Sequence, residues 1–266
     1  MSSCKGVRSL SKLIQCELFK VFRQKKLYVF MLILTAVEIS AVFQIYREAA
    51  GFTGFGPNGQ SFPLIVLHHS TFFIPILIAI LAADSIAEEY RSGNLKRVLL
   101  CPVSRMDLLH AKIVSMFTVV AVLLIFLVLS SYVIGTLAFG WGERTVVDEI
   151  VYTCSEGVQL VAQIVLLSMP PNLAFGMIAI FVALLTTNQG GSIGAALVLL
   201  AVSPLVEGIP QVRDFFIGYQ MRVIPLLPLH EMAAIELWGG LTVIIVYFGV
   251  LYAGSVMMIR KKDILI

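Results

Sequence analysis

Six apolar runs divide the chain, near residues 28–46, 63–85, 112–136, 158–186, 191–206 and 238–259. A bilayer core asks for roughly 20 helical residues, a length five of the runs meet and the fifth run in chain order meets only marginally. Residues 8–26 follow another pattern. Leu10, Leu13, Ile14, Leu18, Val21 and Phe22 share one helical face, and Lys12, Lys20 and Arg23 share another. That periodicity predicts an amphipathic helix lying in the membrane interface. Glu17 falls among the apolar positions: its carboxylate either snorkels at the helix edge or makes a polar contact to a loop. The expected fold is all-α: a polytopic membrane protein with an N-terminal amphipathic elbow helix and six transmembrane helices, forming a single domain over 1–266.

Composition supports the membrane class. Apolar residues make up 59% of the chain and charged residues 13%, with a mean hydropathy of +0.94. A soluble domain carries roughly 25% charged residues. Neither a cleavable signal peptide nor a separate soluble domain is expected.

The placement of charge sets an expected orientation. Arg47, Arg144, Arg213 and Arg222 fall in alternate loops; the other Lys and Arg of the 19 cluster before the first run, between the second and third, and after the last. The positive-inside rule then puts both termini in the cytoplasm, which an even number of spans requires. On that topology only Cys154 of the four cysteines faces outside, so no structural disulfide is expected.

The outer loops differ in character. Residues 47–62 are short and Gly-rich, and 140–157 are acidic, with Glu143, Asp148, Glu149 and Glu156. Residues 207–237 mix Phe215, Phe216, Ile217 and Leu226 with Pro210, Pro225 and Pro228. This stretch is too apolar for a free loop and too broken for a span. It reads either as a re-entrant outer segment buried against protein or as an ordinary outer helix pair.

Polar residues inside the spans are few. Glu38 sits near the middle of the first run, His68 and His69 lie in the second, and Asn172 adjoins Pro170-Pro171, where a kink is expected. A carboxylate at that depth is costly unless paired or facing water, so Glu38 is a candidate for the substrate path or for helix pairing. Adjacent histidines on one helix point about 100° apart, and the spacing offers no metal site.

The remaining feature is a charged island between the second and third runs. Its sequence runs Glu88-Glu89-Tyr90-Arg91-Ser92-Gly93-Asn94-Leu95-Lys96-Arg97-Val98-Leu99-Leu100-Cys101-Pro102-Val103-Ser104-Arg105, with Lys112 soon after. Cys101-Pro102 breaks a helix, since the residue before proline leaves helical angles. A cytoplasmic hairpin over 86–111 is expected, and an interfacial loop resting on anionic lipid is the alternative.

This island resembles the signature of the ABC-2 type permeases, the membrane subunits of one class of ATP-binding-cassette exporter. The family pattern is an acidic residue, Gly-Thr, a Leu-Leu, then Pro-x-x-Arg and Lys; Asn94 replaces the usual Thr. The Glu17–Lys20–Arg23 spacing before the first span is similar too. The resemblance implies that the elbow and the hairpin dock an ATPase through Glu17, Lys20, Glu88, Glu89, Gly93, Leu95, Arg97, Leu100, Pro102 and Arg105. It also implies a second permease copy or close homologue, a path lined mainly by the second and fifth spans, and a bacterial plasma membrane. The export of a peptide antibiotic or drug is the substrate expectation. No Gly-x-x-x-x-Gly-Lys-Ser/Thr loop occurs, so the chain needs no cofactor of its own and ATP with Mg would sit on the partner. No nucleic-acid partner is expected. A stand-alone ion-coupled transporter and a membrane-embedded enzyme are the rival readings.

Overall fold

The computed structural model describes residues 3–49, 58–91, 105–147, 150–186, 189–229 and 234–261. The first helix, α1 (Ser3–Arg23), stops at Gln24, and a tight turn follows in which the Leu27 amide donates to the Gln24 carbonyl at 3.2 Å. Six long helices come after it: α2 (Lys25–Ala49), α3 (Phe62–Arg91), α4 (Arg105–Phe139), α5 (Cys154–Thr186), α6 (Gln189–Glu207) and α9 (Ala234–Lys261). All six are long and apolar enough to cross a membrane. The chain is a multi-pass membrane protein. Most of these helices outrun their apolar stretches, because backbone hydrogen bonding continues past the point where hydropathy falls.

α3 and α5 form the centre. In each, 56% of the most apolar stretch is buried inside the protein, against 11% for α9, which lies on the perimeter. Phe62, Ile78, Leu123, Leu127, Phe175 and Met177 are among the fully buried side chains there. Close approach uses a small residue: a Cβ on Gly176 of α5 would meet Met116 of α4 and Ile78 of α3. Bilayer helices pack through such residues because lipid gives little hydrophobic drive between them. α5 continues without interruption through Pro170-Pro171.

A two-stranded hairpin that the sequence pattern did not reveal lies between α4 and α5. Strands β1 (Arg144–Val147) and β2 (Ile150–Thr153) pair antiparallel, with Arg144 opposite Thr153 and Val147 opposite Ile150. Two reciprocal bonds then start α5. The Thr153 amide donates to Glu156 Oε2 at 2.9 Å, and the Glu156 amide donates to Thr153 Oγ1 at 3.4 Å. This capping box satisfies donors that a helix start leaves unpaired.

The start of α3 is tied to the same end of the molecule. Asn58 Oδ1 accepts from the amides of Gln60 and Ser61 at 3.1 and 3.0 Å, as a helix N-cap does. The Gly59 amide donates to the Gly140 carbonyl at 2.7 Å, and Gln60 Nε2 donates to the Gly142 carbonyl at 2.7 Å.

Residues 207–229 fold as two short helices, α7 (Pro210–Arg213) and α8 (Ile217–Leu226), then a 3-10 turn over Leu227–Leu229. Ile217, Gly218, Gln220, Met221, Ile224 and Pro225 of α8 are buried. Their partners are mainly on α5, with further contact to α9 and α6.

Candidate functional site

Two buried carboxylates organise the end of the bundle where α1 meets α2, here termed the basic end. The first is Glu17, 4% exposed although it sits on the amphipathic helix. Its Oε1 receives Lys20 Nζ at 2.5 Å, one turn along the same helix, and its Oε2 lies 3.5 Å from Lys112 Nζ on α4. Lys112 is itself only 7% exposed and donates to the Ser85 carbonyl of α3 at 2.6 Å. Burial pushes the Glu17 carboxyl up, but Lys112 and then Lys20 outweigh it and hold the group below the ordinary carboxylate range. The partner of Glu17 therefore lies on a helix rather than in a loop.

The second carboxylate is Asp84 on α3, 2% exposed. Lys26, at the start of α2, pairs with its Oδ2, and Gln189, the first residue of α6, donates to its Oδ1. Asp84 and Lys26 were not singled out in the sequence. The available signal was an acid closing the apolar run Leu81-Ala82-Ala83, a depth at which a charge needs a partner. The partner itself was hidden, because 58 residues separate the pair along the chain.

A cavity of about 30 Å³ lies beneath the Glu17 pair, lined by Val21, Ile78, Ser85, Lys112 and Ser115 among others. Near the same end, His110 Nε2 and the Tyr252 hydroxyl are hydrogen-bonded at 2.7 Å and the rings stack, joining α4 to α9.

The island signature is placed only in part. Gly93, Leu95, Arg97, Leu100 and Pro102 lie outside the described residues. Glu88 and Glu89 sit on the last turns of α3, and Arg105 is the first residue of α4. The two helices therefore hold the ends of the segment, at the end of the bundle where Glu17, Lys112, Asp84 and Lys26 meet.

The intramembrane polar residues do not converge. Glu38 is fully buried between α2 and α4, where Ser130 Oγ donates to its Oε1 at 2.7 Å. His68 and His69 line a separate cleft of about 170 Å³, with Thr71 on α3, Ser203 and Pro204 on α6, and Met221 and Arg222 on α8. His69 Nδ1 is hydrogen-bonded to the Ile65 carbonyl at 2.8 Å, and Arg222 pairs with Glu207. Asn172 stays local: its Nδ2 donates to the Ser168 carbonyl at 2.8 Å. Among the described residues, no three His, Cys, Asp or Glu side chains are grouped to hold a metal.

The profile of the family described as ABC-2 family transporter protein matches residues 13–203. The chain belongs to this family. The matched span starts four residues before Glu17 and ends at Ser203 of α6, so it contains both carboxylate networks and the charged island. A comparison with curated proteins gives no match. As an ABC-2 family membrane protein, the chain is a transport component and not a catalytic one. α7, α8 and α9 lie beyond the matched span.

Proposed function

We propose that this ABC-2 permease is the membrane subunit of an exporter driven by a separate ATPase, which docks on α1 and on the segment between α3 and α4. The observation that carries the reading is the convergence of a basic, Gly- and Pro-punctuated segment with two buried ion-pair networks at one end of an ABC-2 family bundle. Charged side chains suit contact with a soluble partner, while the networks make the helix ends stiff enough to receive a push. ATP and Mg belong to the partner. Glu17 and Lys20 on α1 and Glu88, Glu89, Gly93, Leu95, Arg97, Leu100, Pro102 and Arg105 form the docking set. Glu17 acts there through the shape of the surface, since its carboxylate is buried.

We read the basic end as cytoplasmic, because Lys and Arg concentrate there and the positive-inside rule favours the cytoplasm for such an excess, and we read the membrane as a bacterial plasma membrane. Two permease copies, or this chain with a close homologue, surround the path. A ligand can shift an equilibrium only by its differential affinity for the two states, so the ATP-bound ATPase must bind one permease state more tightly. The cargo is a peptide antibiotic or drug.

Co-purification from the native membrane tests the reading. An ATPase should be retained by the wild-type chain and lost from Gly93→Trp and from Arg97→Glu, with folding of the permease unchanged. Transport by the purified chain in vesicles with no ATPase present would overturn it.

A further inference from the structure

We propose that Asp84 is the positioning residue through which movement at the end of α3 reaches α6; the proposal rests on the docking reading above. Both carboxylate oxygens of Asp84 are engaged, one by Lys26 of α2 and the other by Gln189 of α6. The next residue, Ser85, accepts Lys112 through its carbonyl, and Lys112 is paired with Glu17 of α1. Two consecutive residues of α3 thus hold the ends of α1, α2, α4 and α6.

Position and chemistry both favour transmission. Asp84 lies about two turns before the end of α3 at Arg91, a separation of roughly 10 Å along a continuous helix. A displacement at the end of α3 is carried to Asp84 along that one helix. The two arms of Asp84 also differ in strength. Lys26 brings a full charge, whereas the neutral Gln189 amide makes the weaker of two bonds to an ionised acceptor. The α6 arm is therefore the one to release while α2 stays attached. Away from this contact, α3 and α6 border the cleft lined by His68, Thr71, Ser203 and Pro204. Release at Gln189 lets α6 pivot against α3 and changes the width of that cleft.

The test uses the permease with its co-purifying ATPase in lipid vesicles. Spin labels replace Phe73 on α3 and Leu205 on α6, both exposed, on a chain whose cysteines are changed to serine. ATP with vanadate should shift the label distance in the parent chain. D84A should abolish the shift while the ATPase stays bound. The exchanged pair K26D/D84K should restore it, because a lysine at 84 can donate to the Gln189 amide oxygen. Q189A, which leaves the Lys26 pair intact, should lose the shift as D84A does, and it serves where D84A fails to fold. Hydrogen exchange over 189–196 in the chain alone separates this proposal from the docking reading: D84A should speed exchange there about tenfold with no ATPase present. Absence of a bound ATPase counts against docking only. Unchanged exchange in D84A, a shift that survives in D84A or Q189A, or an exchanged pair that folds without restoring the shift would overturn the role of Asp84.

Discussion

Glu17 on α1 and Lys112 on α4 form an ion pair whose charged atoms stand 3.5 Å apart, with both side chains less than a tenth exposed. Removing Glu17 leaves the buried Lys112 ammonium uncompensated and costs about 3–5 kcal/mol; removing Lys112 costs less, because Lys20 still holds the carboxylate, and removing both costs less than removing Glu17 alone. Glu17→Gln should lower the thermal stability of the detergent-solubilised chain markedly and Lys112→Met less, and the double variant should be more stable than Glu17→Gln alone. A double-mutant cycle by thermal unfolding measures the coupling; strictly additive losses would remove the pair as a structural element.

The same pair gives the protein an acid limit. The Glu17 carboxyl is held below its ordinary value of 4.5, so the folded state binds its proton less readily than the unfolded state does. The stabilisation is therefore fully present above about pH 4.5 and drains away as pH falls through the window below it. Melting temperatures of wild type and Glu17→Gln should differ by a constant amount from about pH 7 to about pH 5 and converge under more acid conditions. A gap that widens on acidification would reverse the sign and refute the assignment.

Glu38 ties α2 to α4, since its hydrogen-bond partner Ser130 lies on α4, and the histidine cleft lies elsewhere. Ser130→Ala removes the donor to Glu38 Oε1 while Oε2 already has no hydrogen-bond partner among the described residues, and should cost about 1–3 kcal/mol, the penalty for leaving a buried acceptor unsatisfied. Glu38→Gln keeps an acceptor for Ser130 and should preserve both assembly and transport. Loss of transport in a well-folded Glu38→Gln chain would restore the carboxyl to the substrate path.

Gly59 has no room for a side chain. A Cβ there would fall 2.9 Å from the Gly140 carbonyl oxygen and 2.9 Å from the Thr136 Cα, both backbone atoms that cannot rotate away. Gly59→Ala should destabilise by about 1–3 kcal/mol, the range for overpacking. Gly176→Ala should cost less, because the nearest atoms are the flexible end of Met116. Thermal unfolding of the two variants under one condition ranks them.

The six spans were legible because hydropathy reports directly on what a bilayer tolerates, and Glu17 was legible because it broke a periodic apolar face. Asp84 was harder to read. Its significance depends on Lys26 and Gln189, and no local pattern encodes which distant residue will meet a carboxylate. The β-hairpin escaped for another reason: Arg144–Val147 and Ile150–Thr153 are four residues each, too short for alternation to stand out in an acidic loop. Thr153 and Glu156 did carry a capping-box spacing, which marks the start of α5 more sharply than the fall in charge does. The intramembrane residues show the limit of depth as evidence. Glu38 was a candidate for the path because it is deep, but rotation about the helix axis decides whether a deep residue faces cargo, lipid or a neighbour.

The sparse burial of α9 gives the chain an intrinsic optical depth gauge. The sequence holds two tryptophans, and both are exposed: Trp141 just beyond α4 and Trp238 near the start of α9, each at the end opposite Asp84. Indole rings favour the headgroup level, so both emitters are expected at one leaflet boundary. Quenching by bromine at graded acyl positions would locate that boundary, and a water-soluble quencher added outside sealed vesicles would report which way the bundle was inserted, with no label attached.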